Sequence, residues 1–225
     1  MSSPADAFPG FEERLEGIRA RIEAASPDPA AVTLMAVTKG FGPEAVRTAL
    51  AAGLPVVGEN YADELVAKAQ AVAGDPGPDP EWHYLGAIQR NKVPRLAPLV
   101  ACWQGLSRLA EGRAIAARRP GARVLVQVDV AGLPGRGGVA PAEVPGLVSA
   151  LADEDLDVAG LMAVGVPGPP EGARAGFRTV ARLADDLGLA VRSMGMTDDL
   201  EVALAEGSTM VRVGRALFGE RPPRA

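Results

Sequence analysis

The chain has 225 residues, of which 48% are hydrophobic, and its 23 basic and 28 acidic side chains give a net charge of −5. This mild acidity argues against a nucleic-acid or anionic-membrane partner, because both require a concentrated basic surface. A single cysteine, Cys102, and a single histidine, His83, exclude a disulfide framework and a cysteine- or histidine-rich metal site. Since no apolar stretch is long enough to span a bilayer and no signal-peptide pattern follows Met1, we expect a cytoplasmic location.

The first predicted element is an amphipathic helix. Phe11, Leu15, Ile18 and Ile22 recur at helical spacing and form one apolar stripe. After this helix, short apolar, β-branched runs alternate with Ala/Leu/Arg/Glu-rich stretches of helical spacing. The predicted strands are 34–39, 55–59, 82–86, 101–105, 124–130, 158–166, 190–197 and 209–214. The predicted helices between them are 43–52, 61–73, 106–119, 141–152, 172–187 and 198–206.

The spacing of these strands predicts the fold. Successive strand starts are 19 to 34 residues apart, which is typical of repeated βα units. Eight units predict an α/β protein with a single (β/α)8 TIM barrel, and an open doubly wound sheet is the alternative. The connection between strands three and four is the weakest helix, because Pro94 and Pro98 interrupt it. We expect one domain over 1–225, with 1–33 as an N-terminal helical extension and 34–220 as the barrel.

Lys39 is the first candidate functional residue, because barrels of this type carry their chemistry at the C-terminal ends of the strands. The period of two in a strand places Lys39 on the same face as Met35 and Val37. If that face is the barrel interior, desolvation lowers the pKa of the amine and leaves a neutral nucleophile suited to Schiff-base formation. The alternative is a solvated lysine beyond the strand. The two other lysines are predicted at the surface, Lys68 on a solvated helix face and Lys92 in a loop.

The loops after strands seven and eight are the usual phosphate site of such barrels. Gly195 and Gly214 permit close approach of the backbone, Ser193 offers a hydroxyl group, and both loops lead into helix N-termini. Arg215 adds positive charge beside Gly214. This pattern predicts an anion site, and glycines that only permit tight turns are the alternative.

Arg212 interrupts the apolar last strand and shares a face with Gly214. A charged group inside a barrel strand must be paired or bound to a ligand. An ion pair with a carboxylate such as Glu59 is the alternative to ligand binding. His83 and Cys102 lie within predicted strands, and we interpret them as a hydrogen-bonded structural histidine and a small core residue.

Several short motifs follow one another along almost the whole chain. They are AVTK at 36–39, GENY at 58–61, WHYLG at 82–86, QRNK at 89–92, GLMA at 160–163, SMGMTDD at 193–199 and GSTMVRVG at 207–214. Together, over 34–220, they resemble the pyridoxal phosphate homeostasis protein family. That family is in turn similar to the barrel domain of alanine racemase, which represents fold type III among proteins that use pyridoxal 5′-phosphate (PLP). The resemblance therefore implies PLP as the cofactor.

The resemblance also implies roles for individual residues. Lys39 would form the internal aldimine with PLP, Asn60 would lie beside the cofactor ring, and Arg212 would face the pyridine nitrogen. The phosphate ligands implied by the resemblance are Ser193, Gly195 and Gly214, with Ser208 or Thr209 as helpers.

The chain departs from the family pattern at two positions. Arg215 stands where the family usually has a serine or threonine, so we expect a charge contact with the phosphate in place of a hydroxyl contact. Arg136 occupies the loop after strand five, where the family carries a lysine. Arginine keeps the charge but cannot form an aldimine, so the resemblance does not extend to a PLP-accepting amine in this loop.

The resemblance implies a carrier that buffers PLP and delivers it to apo forms of PLP-dependent enzymes, without substrate turnover. We also expect a monomer. The alternatives are a PLP-dependent amino-acid racemase, a cofactor-free Schiff-base aldolase, and a partner-binding protein without PLP. Arg212 disfavours most PLP chemistry, because an arginine stays protonated and does not pass a proton to the pyridine nitrogen. Racemases of this fold take a tyrosine base from outside the barrel, whereas Tyr61 and Tyr84 both belong to the predicted barrel.

Overall fold

The computed structural model describes residues 7–133 and 137–221 of the chain. Its eight parallel strands close into a barrel in chain order. The strands are β1 (Thr33–Val37), β2 (Val56–Glu59), β3 (Glu81–Tyr84), β4 (Val100–Leu106), β5 (Arg123–Val128), β6 (Asp157–Ala163), β7 (Val191–Ser193) and β8 (Met210–Val213). The helices are α1 (Phe11–Ala25), α2 (Pro43–Ala51), α3 (Ala62–Val72), α4 (Val93–Leu96), α5 (Leu109–Ala116), α6 (Val144–Ala152), α7 (Arg174–Asp186), α8 (Leu200–Ala205) and α9 (Arg215–Phe218). The predicted (β/α)8 barrel is confirmed.

The largest difference from the predicted strands is at β7, which has three residues instead of eight. The chain leaves the strand here because Gly195 adopts a φ of 89°, a left-handed conformation that a β-strand cannot contain. A Cβ atom at Gly195 would also lie 2.6 Å from the Cβ atom of Ala203. The residues after Ser193 therefore form a loop at the C-terminal mouth of the barrel rather than a longer strand.

Successive side chains of β1 alternate between two hydrophobic clusters, one inside the barrel and one between the barrel and its helices. Met35 and Val37 of β1 are buried together with Val56 and Met210 in a cluster inside the barrel. Ala36 is buried on the opposite face, in a cluster formed with the surrounding helices. This arrangement shows that the face shared by Met35 and Val37, on which Lys39 is predicted, is the interior face.

The predicted N-terminal helix is α1, and the four residues of its apolar stripe are all buried. They belong to one cluster with Leu200 of α8 and Leu217 of α9. The ring of Phe218, at the end of α9, lies 5.3 Å from the ring of Phe41. The helical layer thus connects the loop after β1 to the loop after β8, the two loops that carry Lys39 and Gly214.

In the described part of the chain, no helix has the length and apolar character needed to cross a membrane. The same residues contain no group of three or more His, Cys, Asp and Glu side chains that could hold a metal ion. Cys102 is buried, and its burial raises the pKa of the thiol to about 12. The thiol therefore stays protonated, as expected of a small core residue.

Candidate functional site

A cavity of about 640 Å³ opens at the C-terminal mouth of the barrel. Its lining includes five of the seven residues that the sequence predicted for one site: Lys39, Asn60, Arg212, Gly214 and Arg215. The two others, Ser193 and Gly195, belong to the β7 end beside Arg212, because the backbone N–H of Arg212 donates to the carbonyl of Gly195. The fold therefore brings together candidates that are up to 176 positions apart, from Lys39 to Arg215.

Lys39 lies half-buried just beyond β1. Within residues 7–133 and 137–221, its amine makes no hydrogen bond and no ion pair. Burial lowers the pKa of this amine, and the nearby positive charges of Arg221 and Arg212 lower it further, against the opposing effect of Glu59 and Glu64. A lowered pKa increases the fraction of neutral amine at physiological pH, which is the form that attacks an aldehyde.

Lys68, in contrast to its predicted position on a solvated helix face, is only 4% exposed. Its Nζ donates to Oε1 of Glu59 at 2.5 Å and to the carbonyl oxygen of Thr38 at 2.7 Å. The prediction was wrong because Lys68 belongs to the buried stripe of α3, three residues after Leu65 and four before Val72. A fully buried carboxylate at Glu59 requires a cation, and only the folded chain brings this lysine to it.

Hydrogen bonds hold the residues on both sides of Lys39, Thr38 and Gly40. Thr38 Oγ1 donates to Glu59 Oε1 at 2.6 Å. The backbone N–H of Gly40 donates to Glu64 Oε2 at 2.8 Å. Together with the hydrogen bond from Lys68 of α3 to the carbonyl oxygen of Thr38, these contacts fix the peptide units that flank Lys39. They therefore limit where the Lys39 side chain can point.

Arg212 is buried, with 5% of its surface exposed. Its Nη1 donates to the carbonyl oxygen and to Oγ of Ser193, at 2.6 and 2.7 Å, and its Nη2 donates to the carbonyl oxygen of Ala163 at 2.7 Å. The alternative of an ion pair with Glu59 is wrong, since Glu59 pairs with Lys68. Desolvation lowers the pKa of Arg212 to about 10, so the guanidinium remains charged at neutral pH.

Ser193 is fully buried at the end of β7. Its hydroxyl accepts a hydrogen bond from Arg212 and donates one to Oε1 of Gln104 at 2.7 Å. The hydroxyl hydrogen is thus directed across the barrel rather than toward the mouth. A phosphate contact from Ser193 remains a prediction, and a contact through its hydroxyl hydrogen would require the bond to Gln104 to break.

The remaining predicted residues lie on loops around the mouth. Asn60 follows β2, and its carbonyl oxygen is so close to Gly86 that a Cβ atom there would lie 2.0 Å from it. Gly214 is buried against β1, where a Cβ atom would lie 3.0 Å from the carbonyl oxygen of Val37. Arg215 is exposed at the start of α9. Arg136, predicted in the loop after β5, lies outside the described residues.

Arg221, which was not predicted from the sequence, lines the same cavity beyond α9. A Cβ atom at Gly40 would lie 3.0 Å from the Cδ atom of Arg221, so this side chain packs against the backbone next to Lys39. No periodicity or motif marks this residue, because it belongs to no strand or helix. Asp198 and Glu220 are further charged residues of the lining that the sequence analysis did not single out.

We expect the reactivity of Lys39 to show an inflection below the pKa of an ordinary lysine, and the Arg221→Ala substitution to move it upward by removing a positive charge. The measurement is the pH dependence of Lys39 modification by a small neutral aldehyde, trapped with cyanoborohydride and quantified by peptide mass. The matched control is Arg118→Ala, which removes an exposed arginine that does not line the cavity. An identical inflection in the Arg221→Ala variant and the wild type would contradict the expected effect of Arg221.

Known proteins match both the sequence and the fold. The family model of the alanine racemase N-terminal domain matches residues 14–222. The pyridoxal phosphate homeostasis protein of Pseudomonas aeruginosa is 40% identical over 212 residues, which cover 91% of each chain. PipY of Synechococcus elongatus, solved with PLP bound, is 29% identical with a TM-score of 0.80, covering 93% of this chain and 100% of its own.

A more distant likeness concerns the fold alone. An alanine racemase of Clostridium difficile aligns with a TM-score of 0.71 at 15% identity, and the alignment covers 95% of this chain but only 57% of the racemase. The sequence matches are closer and cover nearly the whole length of the curated relatives. The chain therefore belongs to the pyridoxal phosphate homeostasis proteins, a family built on the alanine racemase N-terminal domain.

Proposed function

We propose that this chain binds PLP covalently through Lys39 and carries it, without turning over a substrate. One observation carries the proposal: of the three lysines, only Lys39 lies in the mouth cavity with an unengaged amine among the described residues. Lys68 is bound to Glu59, and Lys92 donates to Asp63 at 3.0 Å. The relatives named pyridoxal phosphate homeostasis protein, and PipY with PLP bound, support the same ligand.

The residues around the cavity fit the chemistry of PLP. Bound PLP supplies an aldehyde that reacts with amines and an electron-withdrawing pyridine ring. Lys39 offers an amine of lowered pKa for the aldehyde. Arg212 carries donors suited to an unprotonated ring nitrogen, and Asn60 borders the space that the ring would fill.

The phosphate group of PLP would lie at the ends of β7 and β8. Gly195 and Gly214 bring backbone into this region without side chains, and we propose them as phosphate-binding positions together with Arg215. The hydroxyl hydrogen of Ser193 is engaged with Gln104, so we do not assign it a phosphate contact. Three arginines but only two carboxylates, Asp198 and Glu220, line the cavity with Lys39, so the local charge favours an anionic ligand.

We expect the Arg215→Ala substitution to weaken PLP binding by about 1–2 kcal/mol, roughly 5- to 30-fold in Kd, because it removes one charge-assisted contact with the phosphate. Titration of the apoprotein with PLP, followed by visible absorption, measures this change. Arg182→Ala is the matched control, since Arg182 is an exposed arginine of α7 outside the cavity. An unchanged Kd in the Arg215→Ala variant would show that other groups, such as the backbone at Gly195 and Gly214, hold the phosphate without this arginine.

The proposal of a carrier rather than an enzyme rests on the acid–base groups at the cavity. Arg212, charged at neutral pH, can donate a hydrogen bond to the ring nitrogen but does not transfer a proton to it. Racemisation removes a proton from one face of Cα and returns it on the other, so it requires a second base besides Lys39. The carboxylates in the lining, Asp198 and Glu220, are both exposed to water. Tyr84 is buried against Trp103 in the helix-facing core.

We expect the PLP-loaded protein to show no sustained turnover of amino acids. Incubation with L-alanine in deuterated water, followed by NMR of the Cα position and chiral chromatography, tests this expectation. Release of PLP to an apo form of a PLP-dependent enzyme, followed by the return of that enzyme's activity, tests the carrier role. Multiple turnovers that disappear in a Lys39→Ala variant would overturn the carrier proposal in favour of a racemase-like enzyme.

We propose a monomer acting in the cytoplasm, where such recipient enzymes are made.

A further inference from the structure

A line of hydrogen-bonded polar side chains crosses the interior of the barrel beneath the mouth cavity. It runs from Arg212 to Ser193 at 2.7 Å, to Gln104 at 2.7 Å, to His83 at 2.8 Å and to Glu81 at 2.9 Å. Ser193 and Gln104 are fully buried, and His83 is 3% exposed. Glu81, the first residue of β3, is exposed at the opposite rim of the barrel. The line therefore connects the mouth to solvent on the other side.

The chemistry of its first member determines the direction of every bond in this line. A guanidinium has only donors, so the hydroxyl oxygen of Ser193 accepts from Arg212 and its single hydrogen goes to Oε1 of Gln104. The amide nitrogen of Gln104 only donates, so Nδ1 of His83 accepts and carries no proton. The proton of the neutral imidazole is therefore on Nε2, where it donates to the carboxylate of Glu81.

Other contacts of the same residues agree with this direction. Burial lowers the pKa of His83, against the raising effect of Glu81, so the neutral imidazole is favoured at neutral pH. Among the described residues no carboxylate forms an ion pair with Arg212, and only the charge of Asp199 opposes the effect of burial on its pKa. Oriented dipoles in contact with the guanidinium can compensate this buried charge further. A chain of hydrogen bonds with one direction supplies such dipoles, and each bond polarises the next.

We propose that Gln104 and His83 are positioning residues: through the hydroxyl of Ser193 they hold the guanidinium of Arg212 in place for the ring nitrogen of PLP. The role rests on the proposed function, since it assigns a ligand to Arg212. Neither Gln104 nor His83 lines the mouth cavity, so both act through another residue. The line also explains why a hydroxyl group lies at the end of β7: it accepts from the arginine and donates to the amide.

Because His83 is the only histidine of the chain, its ring can be observed without interference. In the apoprotein labelled with 15N-histidine, we expect NMR at neutral pH to show one neutral imidazole with the proton on Nε2. The Gln104→Leu substitution removes the donor to Nδ1 and should shift the Nδ1 resonance. The Gln104→Glu substitution places a carboxylate acceptor beside Nδ1, while Glu81 already accepts from Nε2. We therefore expect His83 to become protonated on both nitrogens.

The same variants separate positioning from simple stabilisation when PLP binding is measured. We expect Gln104→Leu to raise the Kd for PLP about tenfold, whereas Gln104→Glu, which still accepts from Ser193, should bind nearly as tightly as the wild type. The control is Cys102→Ala, two residues away on the same face of β4 and outside the hydrogen-bonded line. Thermal unfolding of each variant shows whether it folds, and Cys102→Ala should lose stability without changing the imidazole tautomer or the Kd.

Three results would overturn the positioning role. The first is a proton on Nδ1 in the wild-type apoprotein, which would reverse the direction of the line. The second is a folded Gln104→Leu variant that binds PLP as tightly as the wild type. The third is an equal loss of PLP affinity in Gln104→Leu and Gln104→Glu. If the wild-type protein fails to bind PLP at all, the proposed function is wrong, whereas the spectrum of the apoprotein still decides the direction of the line.

Discussion

Replacing Lys39 with alanine is expected to abolish covalent capture of PLP and the visible absorption band of the bound cofactor. We expect the affinity to fall on the order of 100-fold, about 2.8 kcal/mol at 1.4 kcal/mol per tenfold, because only noncovalent contacts with the ring and the phosphate would remain. Borohydride reduction of the wild-type protein should place one pyridoxyl group on the peptide that contains Lys39. Absorption titration and peptide mapping measure the two effects.

Lys92→Ala is the matched control for this experiment. Lys92 lines a smaller cavity of about 320 Å³ that shares Asn60 with the lining of the mouth cavity, so it is the appropriate lysine to compare with Lys39. Its contact with Asp63 occupies the ammonium group, and we expect its removal to leave the pyridoxyl label on Lys39 unchanged. A label on Lys92 or Lys68, with Lys39 unmodified, would show that the cofactor is held elsewhere.

Replacing Lys68 with methionine is expected to destabilise the fold by about 3–5 kcal/mol, because it leaves the carboxylate of Glu59 buried without a cation. For a chain of this length, such a loss lowers Tm by roughly 6–20 °C, at 2–4 °C per kcal/mol. Chemical denaturation and calorimetry measure the change. The double variant Glu59→Gln/Lys68→Met removes both charges and keeps an oxygen acceptor for Thr38, so it should recover much of the lost stability.

The destabilisation should also depend on pH with a definite sign. Burial raises the pKa of Glu59 in the folded protein, so between the unfolded and folded pKa values the folded state binds more protons than the unfolded state. Stability contributed by this group therefore falls as the pH rises through that window. Without the ammonium of Lys68 the folded pKa rises further, and the deficit of Lys68→Met should shrink as the pH is lowered toward 4. A deficit that stays constant or grows at low pH would contradict the ionised state of Glu59.

The local patterns of the sequence were sufficient to predict the barrel and to place Lys39 at the C-terminal end of its first strand. Each of the eight predicted strands overlaps an observed one, because β-branched runs between glycines and helical stretches are recognisable over short windows. The alternation correctly placed Met35 and Val37 on one face of β1, and the structure shows that this face is the interior one. The cluster of candidates at the strand ends followed from a general property of parallel barrels, so it needed no knowledge of individual contacts.

Only the tertiary structure decided which polar groups are partners. Lys68 and Glu59 are nine positions apart, on α3 and β2. The helical pattern of α3 does not show that Lys68 contacts a carboxylate on a neighbouring strand. Gln104 and Ser193 are 89 positions apart, and their contact exists because β4 and β7 face each other across the closed barrel. Periodicity determines the face on which a side chain lies, whereas the partner of a buried charge depends on which strands and helices the closed sheet brings opposite it.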